Sequence, residues 1–299
     1  MTRSTGMKAL ALLTGLAAST ASGCRRAGDD EVDQIGAAVG EMMSSLDESS
    51  QDGTATAALL PRLPIQKTPA ELQGPLWRRA LGWALPSAYA ASCVATHFSS
   101  CDAGARTRTF ADCSLGLATL DGSVALAFSS SPLCVLATSG QSVTRTADFT
   151  LTGLYGGTLT VTSPGGGQTL TRTATGFEYT VGGMERVLKG AAGRTLADVT
   201  TTTTEPIVIS GSSRADLVIV SGALQVTHHL AGYAVTLRPD NLTWSSHCTC
   251  AVSGSLSGTV SGGKHDGKSA SMTLQGCGEA EVTIAGETSQ ITLDRCAAI

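Results

Sequence analysis

The order of apolar and polar residues divides the chain into a helical N-terminal part and a long region with a β-strand pattern. From residue 92 onward apolar and polar residues alternate, most regularly over 143–151, 158–162 and 169–175. Alternation with a period of two places one set of side chains on a buried face and the other on a solvent face. Threonine, frequent in these segments, fits a pleated surface. We therefore predict a mainly β fold for residues 92–299: an antiparallel meander, a sandwich or a curved half-barrel.

Clusters of turn-forming residues, five of the six containing glycine, interrupt the alternation and predict the turns between strands, since their spacing suits hairpins. The predicted turns lie at 121–122, 156–157, 165–167, 182–183, 239–241 and 262–263. A run of threonines followed by Glu205 and Pro206, residues 200–206, predicts an edge strand or a hinge between two β halves.

Helical patterns precede the β region. Near residues 30–47 the apolar positions form one stripe of an α-helix, beginning with Val32, Ile35 and Val39. Its polar face is acidic, whereas a membrane-surface helix favours Lys and Arg, so we expect this helix to dock on its own domain or to fray. After a linker ending at residue 67, a short helical segment is predicted within 68–91, where it would plug the end of the β core.

The first 24 residues have the order of an export signal: Arg3 and Lys8, an apolar run over 9–18, then small residues up to Cys24. The run is shorter than the roughly 20 residues that cross a bilayer. Residues 21–24, Ala-Ser-Gly-Cys, resemble the lipobox of bacterial lipoproteins, with alanine where that family usually has leucine. The resemblance implies a signal peptide over 1–23, a lipid anchor on Cys24 and, because Arg25 follows, location at the outer membrane.

The net charge and composition of the chain argue against nucleic acid as a partner. Without residues 1–23 the chain keeps 18 basic and 24 acidic residues, a net charge of −6. Such a chain lacks the basic footprint of a nucleic-acid-binding protein. With 35 glycines and 4% aromatic residues, it has the composition of a turn-rich β protein.

Cysteine usage predicts a disulfide framework. Of nine cysteines, eight remain after Cys24, and an even number in an exported protein indicates disulfides. We expect Cys113 to pair with Cys134, because the two flank Gly122 almost symmetrically. Cys248 and Cys250 should not bond to each other, since residues two apart in a strand are at the limit for bridging. Their expected partners are Cys277 and Cys296, in an order left open. The remaining members of the framework are Cys93 and Cys101.

Candidate chemistry is sparse. Residues 247–250, His-Cys-Thr-Cys, are the only cluster that suggests a metal, and their spacing fits a zinc site poorly. His228 and His229 are adjacent and point to opposite faces of a strand. Nucleophile and metalloprotease motifs are absent from the sequence. We therefore predict no catalytic residues, no metal and no cofactor. Aromatic residues that could stack on sugars are expected to pack in the core instead: Tyr155, Phe177, Tyr179, Tyr233 and Trp244.

These observations favour a membrane-anchored lipoprotein that acts as a non-catalytic binding or adhesive module at the cell envelope. Its expected partners are the membrane, through the N-terminal lipid, and an envelope glycan, lipid or protein, facing either the periplasm or the cell surface. The alternatives are a periplasmic carrier of a lipid or other apolar ligand and, less favoured, an envelope enzyme. A hollow core would favour the carrier.

Overall fold

The computed structural model describes residues 98–115, 118–129, 133–211, 214–293 and 296, together with Val32, Ile35, Gly36 and Val39. The predicted signal peptide, Cys24, Cys93 and the helical segment predicted within 68–91 lie outside the described residues.

The described chain forms one antiparallel sheet of twelve strands, each paired with the next along the sequence. The prediction of a mainly β antiparallel meander is therefore confirmed. A 3-10 helix at Arg214–Asp216 lies between the sixth and seventh strands. The strands are β1 (Ala105–Leu115), β2 (Ala118–Phe128), β3 (Ser142–Gly153), β4 (Thr158–Arg172), β5 (Gly176–Lys189), β6 (Thr195–Ser210), β7 (Val218–His228), β8 (Tyr233–Trp244), β9 (Ala251–Gly262), β10 (Ser269–Gly276), β11 (Glu279–Ile284) and β12 (Glu287–Thr292).

Because successive strands run in opposite directions, every second connection lies at the same end of the sheet. We call one end the disulfide end: it holds the entry to β1, the connections after β2, β4, β6, β8 and β10, and the chain after β12. The other end, with the turns after β1, β3, β5, β7, β9 and β11, is the hairpin end.

One face of the sheet, the core face, carries the apolar side chains of the alternating pattern. Val235, Leu237 and Leu256 on this face are 0% exposed. A side chain on a sheet reaches zero exposure only where other parts of the protein cover that face. Val32, Ile35, Gly36 and Val39 have helical conformation and are buried. They pack on the core face beside β12, where a Cβ added to Gly36 would lie 2.6 Å from Ile291 Cδ1.

A line of β-bulges crosses the middle of the sheet. The strand pairing shifts register at 110–113 in β1, 145–148 in β3, 162–167 in β4, 179–184 in β5, 203–208 in β6 and 240–243 in β8. A bulge bends its strand and increases the local twist. The aligned bulges therefore crease the long strands, and the burial of one face indicates that they bend around that face.

Four of the six turn predictions are wrong, because these residues lie in or opposite bulges inside strands. Residues 121–122 lie within β2, 165–167 within β4, 182–183 within β5 and 239–241 within β8. Gly122 has φ +117°, and a Cβ there would lie 2.5 Å from Phe149 Cα, so glycine is required for both conformation and space. By contrast, residues 156–157 and 262–263 do lie at turns.

The threonine run at 200–206 lies inside β6, which pairs with β5 on one side and with β7 on the other. The prediction of an edge strand here is wrong. Branched threonines suit a central strand equally well, because their side chains alternate between the two faces.

Three disulfides are described, and all three lie at the disulfide end. They are Cys101–Cys134, Cys248–Cys277 and Cys250–Cys296, with Cα–Cα distances of 5.9, 5.6 and 5.3 Å. Cys248 and Cys250 lie in the connection after β8 and each bonds to one of its two expected partners, in an order that the sequence left open.

The expected Cys113–Cys134 bond is wrong. Cys113 lies opposite Leu120 near the hairpin end, whereas Cys134 lies in the connection after β2, at the disulfide end. The symmetry about Gly122 was misleading, because Gly122 is in the middle of a strand. Cys113 forms a disulfide, but not with Cys134.

Candidate functional site

The outer face of the sheet, opposite the core face, presents rows of polar side chains, most of them with hydroxyl groups, that run across the strands. One row joins Thr162, Glu185, Thr200 and Thr227 on β4–β7. A second joins Thr202, Gln225, Thr236, Thr259 and Ser269 on β6–β10, and a third joins Ser257, Ser271, Thr283 and Thr288 on β9–β12. Neighbouring strands are about 4.8 Å apart, so the hydroxyls form a regular grid.

Hydrogen bonds between neighbouring strands orient many of these hydroxyls. The Oγ1 atoms of Thr150 and Thr160 are 3.2 Å apart, and those of Thr283 and Thr288 are 2.9 Å apart. A hydroxyl has one donor hydrogen and two acceptor lone pairs. A hydroxyl bonded to one neighbour therefore keeps hydrogen-bonding capacity for a ligand.

An ion pair stands on the outer face at the crease. Arg238 on β8 reaches across β7 to Glu205 on β6 and donates two hydrogen bonds, Nη1 to Oε2 at 2.5 Å and Nη2 to Oε1 at 2.6 Å. The hydrogen bond from Arg238 lowers the pKa of Glu205 below its usual 4.5, and the bond to Glu205 raises the pKa of Arg238. Both side chains are about half exposed, at 51% and 56%.

Most of the aromatic residues weighed as sugar platforms belong to the core. Phe177, Tyr179, Tyr233 and Trp244 are 1–4% exposed, as the core interpretation predicted. Tyr155, in the turn after β3, is 85% exposed. Among these five, only Tyr155 offers its ring to solvent.

The adjacent histidines point to opposite faces, as predicted. His228 is buried on the core face, where its Nδ1 accepts a hydrogen bond from the Ala231 N–H at 3.2 Å. His229 lies on the outer face with its Nε2 2.8 Å from Thr200 Oγ1. Within the described ranges, no group of three or more His, Cys, Asp or Glu side chains is arranged to hold a metal ion.

Buried charges on the core face were missed by the sequence reasoning. Arg108 and Arg145 are 2% and 4% exposed. Arg145 Nη1 donates to Gln168 Oε1 at 2.8 Å, and the Arg108 guanidinium lies 5.1 Å from the centre of the Phe110 ring. The signal was present, because Arg145 is in phase with the apolar Val143 and Ala147 in the alternating pattern of β3.

No family model matches this chain, and neither the curated proteins nor the solved structures include a match to it. In the part of the chain that the structure describes, none of the helices combines the length and apolarity of a membrane span.

Proposed function

We propose that the outer face is a non-catalytic binding surface for a glycan of the cell envelope, on an exported protein anchored by lipid at Cys24. The observation that carries the proposal is the grid of threonine and serine hydroxyls, which extends across β3–β12 on the side opposite the core. The grid belongs to a rigid sheet, so its groups need little ordering when a ligand binds.

The chemistry of the grid suits a polyhydroxylated partner. Hydroxyls donate and accept hydrogen bonds, as sugar hydroxyls do, and many weak contacts along an extended chain add up. The outer face also carries the Glu205–Arg238 pair, which offers charged groups to polar substituents. Binding of this kind requires neither a metal nor a titrating side chain.

Two features support the envelope as the location. Disulfides persist in oxidising compartments, and this chain has three described disulfides at one end of the sheet. The lipobox resemblance of residues 21–24 supports a lipid anchor. When the chain is expressed in a bacterial host with radiolabelled fatty acid, we expect Cys24→Ser to abolish labelling; a labelled variant would contradict the anchor.

The packing of the core face supports a binding surface over a carrier. A carrier needs room for its apolar ligand among the core-facing side chains. Most of the described buried apolar residues of β1 to β12 form one contiguous cluster with Val32, Ile35 and Val39, and Val199 and Val226 form a second one. Such contacts among the side chains of the protein itself favour a filled core over a ligand cavity.

The test compares two substitutions at the same three positions, Thr202, Thr236 and Thr259, which lie in one row of the grid. The triple Thr→Val variant keeps the shape of each side chain and removes its hydroxyl, whereas the triple Thr→Ser variant keeps the hydroxyl. We measure sedimentation of the full chain with insoluble peptidoglycan and its binding to immobilised lipopolysaccharide.

We expect the valine variant to bind at least one of these glycans about tenfold more weakly than the parent, because each hydrogen bond contributes about 0.5–1.5 kcal/mol. The serine variant should retain most of the binding. Binding should survive a chelator and change little between about pH 6 and 8, where only histidine normally titrates. Equal binding by the valine variant and the parent would contradict the proposal.

A further inference from the structure

Exposed large apolar side chains are concentrated at the hairpin end. Leu154 and Tyr155 in the turn after β3 are 58% and 85% exposed. Leu196 at the start of β6 is 52% exposed, and Leu230 in the turn after β7 is 55% exposed. These four residues are called the apolar rim. Of the other exposed large apolar residues described, Leu133 lies at the disulfide end, and Val208 and Val220 lie on the outer face.

The turns that carry the rim lie side by side. A Cβ added to Gly157, in the turn after β3, would lie 3.3 Å from the Lys189 carbonyl oxygen, and one added to Gly190 would lie 3.5 Å from Leu196 Cδ1. On the other side the His229 N–H donates to the Asp198 carbonyl at 2.8 Å, joining the turn after β7 to β6. The rim is therefore one edge and not a set of scattered residues.

Basic residues flank this edge. Lys189 and Arg194 border the turn after β5, and Lys264 and Lys268 lie in the turn after β9; all four are exposed. The acidic residues nearby are Asp266 in the turn after β9, whose Oδ1 accepts from the Gly262 N–H at 2.7 Å, Asp198 near the start of β6, and Glu287 at the start of β12. The four basic residues outnumber these three acidic ones, whereas the chain as a whole has a net charge of −4.

The backbone of these turns is already hydrogen-bonded. In the turn after β3 the Gly156 N–H donates to the Gly153 carbonyl at 2.8 Å, and the Gly153 N–H donates to the Gly157 carbonyl at the same distance. The Gly193 N–H donates to the Gly190 carbonyl at 2.8 Å, and the Gly232 N–H donates to the His228 carbonyl at 2.9 Å. Satisfied backbone groups lower the cost of leaving water for a lipid interface.

We propose that the apolar rim docks onto an anionic lipid surface. Leucine and tyrosine side chains enter the boundary between headgroups and acyl chains, where tyrosine keeps its hydroxyl in the wet layer. Lys189, Arg194, Lys264 and Lys268 contact the anionic headgroups, as basic residues beside an inserted apolar surface do. This contact is independent of the proposed lipid on Cys24 and of the hydroxyl grid, and it fixes the orientation of the sheet relative to the membrane.

The test uses the full chain with Cys24→Ser, so that an N-terminal lipid makes no contribution. Sedimentation is measured with vesicles of phosphatidylcholine alone and with vesicles that also contain phosphatidylglycerol. We expect stronger binding to the anionic vesicles and weaker binding at high salt. The double variant Lys189→Glu with Arg194→Glu should weaken binding at least about 25-fold, because each basic residue lost near an anionic surface weakens binding about fivefold. Tyr155→Ser with Leu230→Ser should weaken it at least about tenfold.

Leu133→Ser is the matched control, because Leu133 is 74% exposed but lies at the disulfide end; it should bind like the parent. A second measurement compares Tyr155→Trp with Leu133→Trp, and only the former should shift its fluorescence to the blue when anionic vesicles are added. Equal binding to neutral and anionic vesicles, rim variants that bind like the parent, or the same spectral shift in both tryptophan variants would overturn the proposal.

Discussion

The two outer parts of the sheet, β1–β4 and β8–β12, bury their core faces by different means. We call them the first half and the second half. In the first half, β1–β4, the core face includes Arg108, Arg145 and Gln168, each at most 4% exposed. In the second half, β8–β12, none of the strand residues described as buried is polar or charged. A buried charge is tolerated only when it is hydrogen-bonded or paired. The first half therefore depends on specific polar contacts, and the second on the burial of apolar area.

The largest expected effect tests whether the halves fold as one unit. Leu237 on β8 is 0% exposed and Leu170 on β4 is 2% exposed. Replacing a buried leucine by alanine costs about 2–5 kcal/mol. Because both belong to one core cluster, we expect Leu237→Ala and Leu170→Ala to lower the midpoint of a single urea transition, followed by circular dichroism. Two separate transitions, each shifted by one variant only, would show that the halves fold independently.

The disulfides allow a like-for-like comparison of the halves. Cys101–Cys134 closes 33 residues in the first half and Cys248–Cys277 closes 29 in the second. Loops of similar length predict similar stabilisation through the unfolded state, about 3.5 kcal/mol each. We expect double Cys→Ala variants of either pair to lose about this much in urea denaturation. A difference of more than about 2 kcal/mol would indicate that one half retains structure when unfolded.

The sequence was sufficient to predict the strands but not the bends within them. Alternation over 143–151 correctly located β3, because burial of one face imposes a period of two. Gly122 and Gly167 were read as turn residues, although Gly122 lies opposite the bulge of β1 and Gly167 lies in the bulge of β4. A turn and a bulge can both require positive φ, so glycine alone does not distinguish them. The distinction depends on the partner strand, which local sequence does not identify.

Of the two candidate surfaces, the sequence predicts one and not the other, for a similar reason. The hydroxyl-rich outer face follows from alternation, since Thr158, Thr160 and Thr162 fall on one side of β4. The apolar rim does not, because Leu154 and Leu230 become neighbours of the same edge only when the meander aligns their turns. Arg145 alternates in step with the buried residues of β3, so the sequence could have placed it on the core face. It was overlooked because only apolar residues were counted as candidates for that face.

A smaller effect sharpens the contrast in polarity between the halves. Gln168 accepts a hydrogen bond from Arg145 within the core of the first half. Loss of a partner to a buried charged group costs about 1–3 kcal/mol. We expect Gln168→Leu to destabilise by this amount in urea denaturation and Gln168→Glu, which keeps an acceptor, to cost less at neutral pH.

The control for this prediction lies in the second half, where Met272 is 0% exposed. Met272→Leu exchanges one apolar side chain for another of similar volume, which usually costs less than about 1.5 kcal/mol. A loss for Met272→Leu equal to or larger than that for Gln168→Leu would contradict the view that the first half depends on polar contacts.

The smallest expected effect concerns the ion pair between the middle of the sheet and the second half, Glu205 on β6 with Arg238 on β8. Arg238 lowers the pKa of Glu205, so the carboxylate is favoured in the folded state. Its contribution to stability is present above the unfolded pKa, near 4.5, and is lost as the pH falls through the lowered pKa.

Because both side chains are exposed, water and salt screen the pair, and Glu205→Gln should change the urea midpoint only slightly at about pH 7 and low salt. The difference from the parent should shrink as the pH falls through the lowered pKa of Glu205, and should also shrink at high salt. Arg238→Gln and the double variant complete the cycle. Because the ion pair can be lost only once, the double variant should lose less stability than the sum of the losses in the two single variants. A destabilisation by Glu205→Gln that persisted unchanged in acid would show that the glutamate acts through packing at the crease and not through its charge.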